Sequence, residues 1–159
     1  MKIIKLTTRD IIRNIDAGVA FEAEASDAGF YIKVGKYVPF VCMAIHHGNR
    51  LRPELKMKTA LSDYERWFEE DPNTGDLISS MPIVLSGLDS RFEYDLNRAP
   101  EECIYETAWG KNVWKSKLSA TDIRLSRQKH TRFFEVVHAL ISKLEAMYEA
   151  CVVYDIHSY

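Results

Sequence analysis

Two apolar runs in this chain end in histidine. Val38 to Ile45 leads into His46-His47-Gly48-Asn49-Arg50, and Cys151 to Ile156 leads into His157-Ser158-Tyr159. Histidines at the ends of separate strands can converge on one edge of a sheet and bind zinc through neutral imidazole. A catalytic zinc takes three protein ligands, here two His and one carboxylate, and keeps a position for the water it activates for hydrolysis. Asp155 lies two residues before His157, on the same side of an extended strand, where it can orient the imidazole. The plainer reading of the same pattern is a pair of strand-end histidines that only cap or hydrogen-bond locally.

Other polar groups offer chemistry between these two points. Glu69-Glu70-Asp71 concentrates carboxylates at the end of a helical stretch, where they oppose the negative end of the helix dipole and gain nothing as caps. A cation would explain the placement, as would a simple exposed acidic turn. Arg91, Asp95 and Asn97 are separated by even steps, so an extended segment over Phe92 to Leu96 puts them on one face. A guanidinium beside an amide can grip a carboxylate through parallel hydrogen bonds, whereas an edge strand with a solvated face gives the same alternation. His130 and His138 share a helical face without a carboxylate or Cys at metal spacing, and read as structural.

These groups need elements to hold them. Residues 2–5 and 18–24 read as short strands around a helical turn at 9–14. Phe30 to Val34 and Val38 to Ile45 read as two strands joined at Gly35-Lys36-Tyr37. The second is continuously apolar, as in a strand covered on both faces, and its polar ending suits the carboxyl edge of an α/β sheet. Helices are expected at 53–60 and 62–70, with Ser62 as cap, then a loop at 71–75 and short strands at 82–85 and 92–96. Tyr64, Trp67 and Phe68 read as helix core, and Trp109 and Trp114 as core or loop packing. The strongest helical periodicity covers 119–150, and residues 151–156 read as a buried strand. Such a strand normally feeds a further loop and helix, so the single domain over 1–159 is expected to be incomplete at its C-terminus.

Composition narrows the class. The 159 residues are 47% hydrophobic and 28% charged, the balance of one soluble globular domain. A net charge of -2 leaves no electrostatic footprint for nucleic acid or an anionic membrane. No apolar run approaches a membrane span, and the N-terminus lacks a signal-peptide core. Three cysteines without a CxxC pair point to a reducing cytoplasm. The glycine-rich phosphate loops, HExxH and GxSxG are all missing.

Taken in order, His46-His47-Gly48, the acidic Glu70-Asp71 patch, Arg91 with Asp95-Leu96-Asn97-Arg98, and Asp155-Ile156-His157-Ser158 resemble the N-formylglutamate amidohydrolase family. The segments EEDP and GLDSRFEYDLNRAP carry the likeness most closely, and it extends over roughly residues 38–159. The resemblance implies an α/β fold with a mixed, mostly parallel sheet between helices, of the zinc carboxypeptidase and phosphorylase/hydrolase-like kind. It also implies a zinc ion held by His46, His157 and an acidic residue, with Asp71 the first candidate, Glu70 the second and Glu54 a distant third. Asn97 and Arg98 then match the pair that holds the substrate carboxylate, and Arg91 the arginine that polarises the scissile carbonyl or contacts the substrate. His47 stands where the family has a small residue. The family's general base comes from beyond its second histidine; Glu93 and Glu106 are substitutes in non-matching positions.

The activity implied is metal-assisted hydrolysis of an N-acyl amino acid, such as N-formylglutamate to formate and glutamate. The partner is then a small carboxylate substrate, with the oligomeric state open. A carboxypeptidase-like peptidase is a neighbouring reading. From other classes come a non-catalytic binding or regulatory module that keeps the fold, and an ordinary structural α/β domain.

Overall fold

The structure is a computed structural model that describes residues 3–158. Its elements run β1 (Ile4–Leu6), α1 (Thr8–Asp16), β2 (Phe21–Ala25), β3 (Phe30–Val34), β4 (Phe40–Ala44), α2 (Pro53–Lys58), α3 (Asp63–Glu69), α4 (Thr74–Leu77), β5 (Ile83–Gly87), β6 (Thr107–Ala108), β7 (Lys111–Asn112), α5 (Ala120–Tyr148) and β8 (Val152–Asp155). Lys2, in the strand expected at 2–5, and Tyr159 lie outside the described residues. The fold is α/β, built on a six-stranded mixed sheet in the order β1-β2-β3-β5-β4-β8. The β1/β2, β4/β5 and β4/β8 pairings are parallel, while β2/β3 and β3/β5 are antiparallel.

Burial explains this order. In β2 and β3 the residues alternate between buried and half-buried, whereas β5 is buried at every position. The most completely buried strand takes a central place, with β5 between β3 and β4. The two strands expected to form a joined pair are therefore not neighbours. α5 starts in a capping box of Ser119 and Asp122, which satisfies the free N–H groups of its first turn. Its buried stripe of Phe133, Val136, Leu140 and Leu144 joins Ile11 and Ile15 of α1 in the main core beside the sheet.

Four expectations need correction. Residues 92–96 form turns, not a strand: every residue from Phe92 to Leu96 is buried, so the polar alternation marks no solvent face. The Glu93 N–H bonds the Ser90 carbonyl and the Asp95 N–H bonds the Cys103 carbonyl, which wraps the segment on itself. α4 starts at Thr74, inside the loop expected at 71–75, and continues to Leu77. Tyr64, Trp67 and Phe68 are exposed, because the buried side of α3 is Arg66, bonded to Asp63, Glu70 and the Asn49 carbonyl. Finally, β8 is an edge strand with exposed side chains, since it pairs only with β4 among the described residues.

One close approach sets the path after β4. A Cβ on Gly48 would lie 2.1 Å from the Leu88 carbonyl carbon, so the two loops leaving parallel β4 and β5 touch backbone to backbone there. Arg50 N–H then donates to the Leu88 carbonyl at 3.2 Å. Gly48→Ala should lower the melting temperature by roughly 2–12 °C, the effect of overpacking in a domain of this size. Gly35→Ala, whose Cβ would meet nothing closer than 3.6 Å, is the control; an equal response in calorimetry would contradict the close contact.

The start of α5 carries a pH signature. The Asp122 carboxyl is held at about 2, below its ordinary 3.8, by hydrogen bonds from Lys58 and Ser119. A depressed folded-state value adds stability above the unfolded one and loses it as pH falls through the folded one. The stability difference between wild type and Asp122→Asn should therefore shrink as pH drops from about 4 to about 2. Denaturant titrations across that range would expose a flat difference, which would refute the assignment.

Candidate metal centre

His46 emerges two residues beyond β4 and is 1% exposed. Its Nε2 lies 2.7 Å from Asp95 Oδ1. Asp95 is itself fully buried and is held by Arg91 through Nη2 at 2.8 Å and Nε at 3.2 Å, by the Asn97 N–H at 2.7 Å and by the Tyr105 hydroxyl. Burial opposes its charge, but the hydrogen bond from His46, the charge of Arg91 and the Tyr105 hydroxyl outweigh it. The Asp95 carboxyl thus stays well below the usual carboxylate range. An ionised carboxylate only accepts, so Nε2 of His46 is the donor and in the neutral ring Nδ1 presents a lone pair. That Nδ1 is buried without a hydrogen-bond partner, 3.5 Å from Asp71 Oδ2.

Asp71 follows α3 and is anchored by its own backbone, whose N–H donates to the His46 carbonyl at 3.0 Å. His157 arrives from the end of β8, which parallel pairing with β4 brings alongside. Its Nδ1 lies 2.8 Å from Asp71 Oδ2, its Nε2 3.1 Å from Asp155 Oδ2, and Ser158 Oγ donates to Asp71 Oδ1 at 3.2 Å. Partial burial lowers the proton affinity of His157, but Asp71 and Asp155 overcome this by hydrogen bonding and charge and raise its pKa.

One ligand atom each from His46, Asp71 and His157 lie within 4.8 Å of one another, a group that could hold a metal ion. The donors fit a cation such as zinc: two imidazole nitrogens and a carboxylate oxygen. Each histidine turns Nδ1 inward and sets Nε2 against a carboxylate, Asp95 for His46 and Asp155 for His157. Such carboxylate–histidine pairs fix the ring and strengthen its basicity. The Nδ1 of His46, buried without a hydrogen-bond partner beside Asp71, has its lone pair free for a ligand role.

The group opens on a cleft of about 690 Å³ that Arg91 and Asn97 also line. Arg91 is tied down by Asp95 and by the Glu69 carbonyl, reached by Nη1 at 3.1 Å. Arg98 is exposed and outside the cleft lining, with its guanidinium beside the Tyr105 hydroxyl. Glu70 lines the cleft without joining the ligand group; it is engaged by Ser90 and Arg66, and burial pushes its carboxyl up against those two partners. Glu54 is exposed on α2, away from the group. Neither candidate base lines the cleft: the Glu93 carboxylate binds Arg52 and Lys129, and Glu106 is exposed elsewhere. His47 turns its ring onto Gly75, and His130 bonds the Arg98 carbonyl at 2.9 Å, a structural contact. Tyr105 and Trp109 are members of this environment that spacing alone did not mark.

Compared with known proteins, residues 38–159 match the family model described as N-formylglutamate amidohydrolase. No curated protein and no solved structure matches the chain.

Zinc titration tests the geometry. His46→Ala or His157→Ala should remove stoichiometric binding. Asp155→Asn, a change at the half-exposed far side of His157, should weaken it about 10–100-fold with the fold intact. Wild-type affinity in all three variants would reject the centre.

Proposed function

Because the chain belongs to the N-formylglutamate amidohydrolase family, we propose that it is a zinc-dependent hydrolase of N-acyl amino acids, of the kind that splits N-formylglutamate into formate and glutamate. The observation that carries this reading is the meeting of two imidazoles and a carboxylate in one cleft with a guanidinium and an amide. His46, Asp71 and His157 hold the ion in this reading. When bound, it supplies Lewis-acid activation of water and of the scissile carbonyl. Arg91, fixed in direction by Asp95 and Glu69, adds a second positive pole for the oxygen of the amide. Asn97 on the cleft wall and Arg98 beside Tyr105 take the substrate carboxylate. Asp95 and Asp155 keep the imidazoles oriented. A reducing, cytoplasmic setting belongs to the same reading, supported by three free cysteines, Cys42, Cys103 and Cys151. No helix among the described residues is long and apolar enough to cross a membrane.

A second reading is a metal- and carboxylate-binding module without turnover. It is favoured by the placement of Glu93 and Glu106, both outside the cleft. Formate release from N-formyl-L-glutamate by the zinc-loaded protein, run beside a panel of other N-acyl amino acids, separates the two. Turnover that chelation removes supports the hydrolase; tight binding with no product from any ligand supports the module. In either case, exchanging the ligand's carboxylate for a carboxamide should weaken binding about 10–100-fold, the scale of a lost charge-assisted hydrogen bond. Equal binding of both would remove Asn97 and Arg98 from the assignment.

A further inference from the structure

Core packing does not account for the aromatic rim of the cleft. Trp67 and Phe68 of α3 and Trp109 of the β6–β7 turn line the same cleft as His46, Asp71 and His157. They are 48%, 68% and 54% exposed, so polar residues could replace them at little cost to the core. Two of the three are braced. Trp67 stacks on Tyr64 with ring centroids 6.3 Å apart and planes 24° from parallel. Trp109 meets Phe92 and Tyr105 edge to face at 5.8 and 6.1 Å, and the Arg91 guanidinium lies 5.3 Å from its ring centre.

The backbone at Trp109 points the same way. Its φ is 49° and that of Gly110 is 75°, so both central residues of this two-residue hairpin turn are left-handed. Asn, Asp and Gly are the usual occupants of such positions, and a bulky side chain is rare there. Strain of this kind persists where surrounding contacts enforce it, and it concentrates at ligand-binding sites. The turn holds an indole rigidly over the cleft, and a rigid aromatic side chain loses little freedom when it binds.

We propose that Trp67, Phe68 and Trp109 are specificity-determining residues that receive a planar apolar group, so the favoured ligand is an N-acyl amino acid carrying an aromatic ring. This rests on the metal-hydrolase reading above. A formyl group has one carbon and a glutamate side chain ends in a charge; neither offers apolar surface to three aromatic side chains. Arg91 and Asn97 meet the carbonyl and carboxylate of the ligand, and the rim meets its flat end.

The test measures binding to the zinc-loaded full chain by calorimetry and indole fluorescence. N-benzoyl-L-glutamate carries the ring on the acyl side, N-formyl-L-phenylalanine carries it on the amino-acid side, and N-formyl-L-glutamate is the reference. At least one aromatic ligand should bind about tenfold more tightly than the reference and quench indole emission. Trp109→Ala should abolish most of that preference with zinc retained, Trp67→Ala should reduce it, and Trp109→Phe should keep most of it. Equal or tighter binding of N-formyl-L-glutamate by wild type overturns the inference, as does a preference that survives in both Ala variants. Failure of the wild type to take up zinc instead fells the hydrolase reading, and this inference with it. Zinc uptake without aromatic preference overturns this inference alone.

Discussion

The site depends on a buried charge, the Asp95 carboxylate. Removing a carboxylate from water is expensive unless its oxygens are fully engaged. Asp95 meets that requirement by collecting donors from the loop after β4, from Arg91 and Asn97 beside it in sequence, and from Tyr105 ten residues on. Each contact fixes the group at its other end. His46 acquires an orientation and a tautomer, Arg91 acquires a direction into the cleft, and the segment from Phe92 to Leu96 is held in turns. One removed carboxylate would leave several buried donors without an acceptor, so the orientation of His46 and the loop architecture stand or fall together.

Around that anchor, the parallel strands β4, β5 and β8 set the distances. β4 delivers His46, β8 lies alongside it and delivers His157, and the loop after β5 meets the chain backbone to backbone at Gly48. Asp71 is brought in by its backbone hydrogen bond to His46, independently of its side chain. Its carboxylate can therefore face both imidazoles. Two carboxylates, Asp71 and Asp155, raise the proton affinity of His157 by hydrogen bonding and charge.

The aromatic rim is built on the opposite logic. Around the cluster, polar groups are buried and must be satisfied; at the rim, apolar side chains stay about half-exposed or more. The two meet at Arg91, which is bound to Asp95 on one side and lies over the Trp109 ring on the other. A shift of the hairpin turn would thus be felt by the guanidinium that lines the cleft.

The ends of β4 and β8, the two histidines, Asp155 behind His157 and the long helix α5 were legible in the sequence. Each rests on a local rule: an apolar run, a step of two along a strand, a helical stripe. The order of the motifs also carried the family. Where the local rule was ambiguous, the reading failed. Alternation at 91–97 looked like a strand, yet Glu93 and Asp95 are as buried as Phe92, because partners distant in sequence satisfy them. The aromatic residues of α3 looked like core, yet a buried arginine took that face. What the sequence determined alone was the family and most of the strand and helix segments, since those depend on neighbours along the chain. The tertiary structure decided that β5 would separate β3 from β4, that Asp71 and not Glu70 would face the histidines, and that Tyr105 and Trp109 would join them. Those outcomes depend on which buried charges and apolar strands find each other across long loops, a competition that no local pattern records.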